Sequence, residues 1–186
     1  MSDVAVIDPS RADLGGNLRH GDDRSWCPAL WRYLVERFAI QSVLDVGCGE
    51  GHAVDFFARI GLRAFGIDGS LINVTRAVTP IALVDLTRGP FVMPVDLVWS
   101  CEVAEHIDGR HVGAYLDTLT NGRVVAMTHA VPGQAGYHHV NCQPAEYWIT
   151  HMAERGYGLA IANNRYRAYG DLDTYFTYTG LVFLRR

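Results

Sequence analysis

An apolar run ends in an acid at Asp45, and glycines follow on alternate positions, Gly47, Gly49 and Gly51. Apolar residues then recur at Ala53, Val54, Phe56, Phe57 and Ile60, which is helical spacing. A strand, a glycine turn and a helix make the first half of a βαβ unit, with a ligand at the helix N-terminus. Glycine lets the backbone turn tightly and approach that ligand closely. Further along, Glu102, Glu105 and His106 have i, i+3, i+4 spacing. On a helix they share one face. Carboxylates and imidazole together can move a proton, or hold a divalent cation. His129 follows another apolar run, and His138 and His139 stand in a long loop. Neighbours in an extended segment point opposite ways, so one of this pair is expected to face a crevice.

The elements that must position these residues alternate. Strands are expected at 42–46, 63–67, 81–85, 96–100 and 123–128. Helices are expected from Pro28 to Phe38, over 110–119, and from Pro144 to a stop at Gly156. Two strands near 158–162 and 174–184 close the chain. The pattern predicts an α/β fold: a Rossmann-like, mostly parallel sheet with helices on both faces and an antiparallel C-terminal strand pair. Ligands of such sheets bind beyond the carboxyl ends of the strands. Asp45, Asp68, Ser100 and His129 end four of them and are expected to converge. The loop 130–143 carries few core residues, and loops of that length in compact domains are usually functional or disordered. Residues 1–25 read as a mobile arm or lid, and 26–186 as a single domain. Trp148, beside Tyr147, fits either a substrate cap or the core.

A dinucleotide fingerprint needs glycine at 47, 49 and 52, but position 52 is His. The acid two residues before Gly-x-Gly-x-Gly instead resembles motif I of class I S-adenosylmethionine-dependent methyltransferases. Three later blocks fall in the same order. Arg63-Ala-Phe-Gly-Ile-Asp68 precedes Gly69, Ile81-Ala-Leu-Val-Asp85 precedes Leu86, and Val95-Asp-Leu-Val-Trp-Ser100 precedes Cys101-Glu102-Val-Ala-Glu105-His106-Ile107. The last resembles a block of many small-molecule and saccharide methyltransferases. The resemblance spans 42 to about 130. It implies a turn (Gly47, Cys48, Gly49, Gly51) that wraps the methionine end of S-adenosylmethionine, with Asp45 toward its ammonium. It implies Asp68, beside Gly69, at the ribose hydroxyls, Asp85 at the adenine amino group and Leu86 on the ring. Cys101 falls beside the same site. Asp68 also suits the cap of the next helix. S-adenosylhomocysteine would be the product, and His129, His138, His139 and Glu102 are the candidate catalytic groups near the acceptor.

Composition narrows the reading. The chain has 186 residues, 49% hydrophobic and 19% charged, which suits one globular domain. No apolar run reaches membrane-spanning length. The N-terminus is acidic and polar, unlike a signal peptide. The four cysteines form no Cys-x-x-Cys pair, so a cytoplasmic protein with reduced thiols is expected. All 16 basic residues are arginine, which excludes a lysine-based mechanism. A net charge of −4 argues against a broad phosphate-binding face. The expectation is therefore O-methylation of a small hydroxylated molecule or a saccharide, without a metal, a membrane or a nucleic acid. Glu-x-x-Glu-His with a later His also resembles the metal-binding set of terminal ribose 2′-O-methyltransferases of small RNAs. That is the first rival, and a non-catalytic S-adenosylmethionine-binding regulatory module is the second.

Overall fold

The computed structural model describes residues 5–8, 10–14, 16–162 and 173–186. The expected arm's residues 1–4, 9 and 15 lie outside them. The rest of that segment holds a small antiparallel ribbon, β1 (Ala5–Ile7) and β2 (Gly16–Leu18), and two 3₁₀ turns, Ala12–Leu14 and Asp23–Ser25. The helix α1 (Pro28–Arg37) follows, with proline in its first turn and Leu30, Trp31 and Leu34 buried. Then β3 (Ser42–Val46), α2 (His52–Arg59), β4 (Arg63–Asp68), α3 (Leu71–Arg76) and β5 (Ala82–Leu83) alternate. They are followed by β6 (Val95–Ser100), α4 (Val112–Leu119), β7 (Gly122–Met127), α5 (Ala145–Glu154), β8 (Tyr157–Ala162), α6 (Tyr175–Thr179) and β9 (Leu181–Arg185).

The seven main strands lie in the order β5-β4-β3-β6-β7-β9-β8, parallel except where β9 pairs antiparallel with β7 and β8. Side chains alternate across this sheet. Leu44, Val46, Val98, Val125 and Met127 pack with Tyr115, Leu116, Trp148 and Met152 of α4 and α5. Val43, Leu97, Trp99, Val124 and Ala126 pack with Trp31 and Phe57 of α1 and α2. Each face thus has its own core. The chain leaves β3 toward β4 on one side and returns to β6 on the other, so the carboxyl ends of β3 and β6 bound a crevice.

Three expected elements differ. The run at 81–85 pairs over two residues only, because Asp85 turns back to accept from Thr87. Residues 175–179 are helical rather than extended, and Phe176 stacks on Trp99 at 5.0 Å. Glu102 lies at φ 57 before a 3₁₀ turn over Ala104–His106, so no α-helical face forms there. Trp148 is fully buried and belongs to the core. No helix among the described residues is long and apolar enough to cross a membrane.

Candidate active site

The carboxyl ends of β3, β4 and β6, the N-terminal segment and the loop 130–143 enclose a cavity of about 910 Å³. Its floor is the glycine turn. Gly47 and Gly49 have φ of 73° and 56°, in the left-handed region that glycine adopts without strain. A Cβ on Gly47 would stand 2.4 Å from Val103. Gly51, at φ 80°, caps α2 and lies off the cavity lining.

Asp45 faces this floor and is 4% exposed. It meets no donor among the described residues. Burial, with Asp68 nearby, pushes its pKa up to about 8. A buried carboxyl of this kind is matched to a cation. Asp68 is better tied: Gly49 N–H donates to its Oδ2 at 2.8 Å, and Ser70 N–H and the Asn73 amide donate to Oδ1 at 2.8 and 3.1 Å. It therefore locks the two turns together while lining the cavity beside Gly69. The cap of α3 is Ser70, not Asp68. Burial raises the Asp68 pKa against those donors. At Asp85, burial is outweighed by hydrogen bonds from Thr87 and Arg11, which hold its pKa low. Its Oδ2 is paired with Arg11 at 2.9 Å, and Leu86 lines the wall next to it. Cys48 and Cys101 also line the cavity, as thiols that burial keeps protonated. Partnerless Asp45 fits an ammonium, and Asp68 with Leu86 fits a ribosyl purine.

The opposite end is built around Glu102. Its left-handed backbone is held by Thr128, just past β7. Glu102 N–H donates to Thr128 Oγ1 at 2.7 Å, and that hydroxyl donates to Glu102 Oε1 at 2.9 Å. Glu105 is fully buried, and neither of its carboxylate oxygens has a backbone or hydroxyl donor. Burial and the Glu102 carboxylate push its pKa up to about 8. Burial raises the Glu102 pKa as well, so the two carboxyls can share one proton between them. The Glu105 carbonyl accepts from Val140 and Asn141 N–H, both at 3.0 Å, which docks the long loop onto this turn. His106 Nδ1 lies 3.3 Å from the His138 carbonyl, and burial lowers its pKa to about 4. The His139 ring stands edge-on to His106 at 5.1 Å. One ligand atom each from Glu105, His106 and His139 lie within 4.8 Å of one another.

His138 and His139 both line the cavity. His138 is at φ 52°, so the extended-segment alternation does not apply. His129 is not brought there. It is 3% exposed, tilted against Trp148 at 6.4 Å, with Nδ1 3.3 Å from the Ala130 carbonyl. Ser100 is likewise buried, bonding the Val46 carbonyl and the Tyr115 hydroxyl. Of the four strand ends expected to converge, Asp45 and Asp68 do so.

Several lining residues escaped the sequence reading. Trp26, Trp31 and Trp99 form an aromatic wall, with Trp31 edge-on to the other two at 5.0 and 5.6 Å. Tyr175 donates to Asp22 at 3.0 Å across 153 residues of sequence. Glu50 is buried under the arm and accepts from His20 N–H at 3.1 Å. Asn17 lies over Gly49. No periodicity marks such long-range partners.

A methyltransferase-domain family matches residues 18–166 of this chain. A probable S-adenosylmethionine-dependent methyltransferase of Mycolicibacterium smegmatis is 31% identical over 84 residues, 42% of this chain, which spans a third (33%) of that relative. Among solved structures, the sugar N-methyltransferase KedS8 from Streptoalloteichus superposes with a TM-score of 0.65 at 16% identity, over 90% of each chain. Magnesium protoporphyrin IX methyltransferase from Synechocystis, with bound S-adenosylmethionine, gives 0.62 at 18% identity, over 85% of this chain and 76% of its own. The methyltransferase domain of bacterial CtHen1 gives 0.58 at 18%, over 85% and 96%. At these identities the structures share the fold.

Proposed function

The chain belongs to the methyltransferase-domain family, and from that premise we propose that it transfers the methyl group of S-adenosylmethionine to a hydroxyl oxygen of a small molecule or a saccharide. The observation that carries this reading is one continuous cavity. It joins partnerless Asp45 and the glycine turn to a braced carboxylate, Glu102, at the end of β6. The cofactor supplies an activated methyl group. The protein has to align acceptor oxygen, methyl carbon and leaving sulfur. Asp45 receives the ammonium, and Asp68 and Leu86 the nucleoside. Asp85 reaches the adenine edge while paired with Arg11. Glu102 takes the acceptor proton, and Thr128 fixes its carboxylate in place. His138 and His139 orient the acceptor from the loop. Trp26, 41% exposed at the cavity and backed by the buried Trp31, offers ring surface to a sugar or an apolar skeleton. Transfer of radiolabel from S-adenosylmethionine to a panel of saccharides and hydroxylated small molecules tests this. Label found only on amines or carboxylates would refute the oxygen acceptor.

A second reading is favoured by one observation, the approach of Glu105, His106 and His139. With Glu102 this set could hold a divalent cation at a ribose diol, and the enzyme would then methylate an RNA end. The cation would displace the Glu105 proton, and ligand binding would release it. The first reading expects full turnover in chelator. Turnover lost in chelator and restored by Mg²⁺ or Mn²⁺, together with loss in Glu105→Ala, would replace it with the second.

A further inference from the structure

The cofactor's methionine end carries a carboxylate as well as an ammonium, and four N–H groups of the glycine turn are already spent. Gly47 and Cys48 N–H both donate to the Ile67 carbonyl, at 2.9 and 3.1 Å. Gly49 N–H is spent on Asp68, and Gly51 N–H on the Cys48 carbonyl. The side chains here are acidic: Asp45, Asp68 and Glu50. The chain has no lysine. Arg110 is the arginine that lines the cavity among the described residues, and Asp108 holds its guanidinium at 2.9 Å. Two buried side-chain nitrogens by the turn make no hydrogen bond among the described residues, His52 Nε2 and Asn17 Nδ2, and the first faces Glu50 Oε2 at 3.8 Å. The Asn17 Nδ2 lies 2.9 Å from where a Gly49 Cβ would stand. Asn17 is carried by β2, and the arm is seated on the turn by Glu50, which accepts from His20 N–H.

We propose that Asn17 donates its side-chain amide to the carboxylate of the cofactor's methionine moiety. The N-terminal arm is then part of the cofactor site, not solely a cover for the acceptor. A neutral amide suits this place. It satisfies the carboxylate without neutralising Asp45, which is needed for the ammonium a few ångströms away. The inference rests on the S-adenosylmethionine reading above.

The test is a cycle of four binding measurements by calorimetry: wild type and Asn17→Ala, each with S-adenosylhomocysteine and with its decarboxylated analogue, which keeps the amine. A hydrogen bond to a charged group corresponds to roughly a ten- to hundredfold change in affinity. Asn17→Ala is expected to weaken S-adenosylhomocysteine by about that factor and to leave the decarboxylated analogue within about twofold of wild type. Asn17→Asp is expected to weaken the homocysteine compound further, because it sets one carboxylate against another. Equal weakening of both ligands, or of neither, would overturn the assignment, since Asn17 would then only seat the arm or do nothing. Failure of the wild type to bind either ligand would instead overturn the cofactor reading and this inference with it. Asn17 makes no side-chain hydrogen bond among the described residues, so unliganded Asn17→Ala is expected to melt with wild type.

Discussion

Asp45 is a buried carboxyl with no hydrogen-bond partner among the described residues, and its energetics follow from that. An unfolded chain releases this proton near pH 4, whereas the folded chain holds it to about pH 8. Between those values the native state binds more protons than the unfolded state, so this residue's contribution lowers stability as pH rises from about 4 to 8. A bound ammonium reverses the balance by favouring the carboxylate. S-adenosylhomocysteine binding at pH 7 is therefore expected to release a proton and to tighten as pH approaches 8. Calorimetry in buffers of different ionisation enthalpy measures this directly, and a proton count of zero would mean that Asp45 does not meet the ammonium. Asp45→Asn is expected to flatten the pH slope of apo stability while weakening the cofactor. Glu102 is a different case, because Thr128 braces it at the acceptor end. Glu102→Gln is expected to reduce turnover by about 10²–10⁴ with cofactor affinity kept, as read in single-turnover assays. Turnover at the wild-type level would remove it from the chemistry. His129 packs against Trp148 away from the cavity. His129→Ala is expected to cost about 1–3 kcal/mol of stability, measured by denaturant melts, with kcat little changed.

At the scale of elements, what the sequence made legible depended on the range of the forces. The strand and helix order is written in local periodicity, and the glycine turn in residues that only one backbone shape tolerates, so both were readable. Spacing alone puts Glu102 on a helical face, but it sits at φ 57°. Its bonds to Thr128, 26 residues away, outweigh local helical preference. His138 and His139 were read by strand alternation, which fails where Glu105 pulls the loop into a turn. The run at 174–184 reads as one strand, and its end is β9, but Phe176 is drawn onto Trp99 and residues 175–179 curl into α6. Tertiary contacts decide each of these, and a single sequence does not print them. The arm shows the same effect, being tied down by Arg11 to Asp85 and by Tyr175 to Asp22. Arg11 and Asp85 are partly exposed, so this ion pair contributes at most about 1 kcal/mol. Arg11→Ala is expected to leave the melting temperature nearly unchanged but to speed cofactor release, read as a higher koff in stopped-flow fluorescence. An unchanged koff would mean that the arm does not gate the site.

At the scale of the whole molecule, charge separates the two proposed acceptors. A protein that grips an RNA end does so mainly through phosphates, which requires cations free to meet them. This chain has 16 arginines, no lysine and a net charge of −4. Among the described residues, seven arginines (Arg11, Arg24, Arg59, Arg88, Arg110, Arg123 and Arg155) are already in ion pairs with aspartates. The cavity wall adds Asp13, Asp22 and Asp23, and those carboxylates repel a polyanion. A neutral or hydroxylated acceptor meets no such barrier, and its carbon skeleton can rest on Trp26. Binding of a labelled short RNA is therefore expected to give no saturable signal up to about 100 μM at 150 mM salt, since non-specific phosphate binding alone lies at about 10⁻⁴–10⁻⁶ M. Anisotropy at 50 and 200 mM salt decides the matter. A complex gripped by six or more phosphates would lose about 10³-fold or more in affinity across that range. Tight binding with that slope would show an arginine surface that the folded chain assembles despite its ion pairs. It would favour the ribose acceptor and make Glu105, His106 and His139 the first residues to mutate.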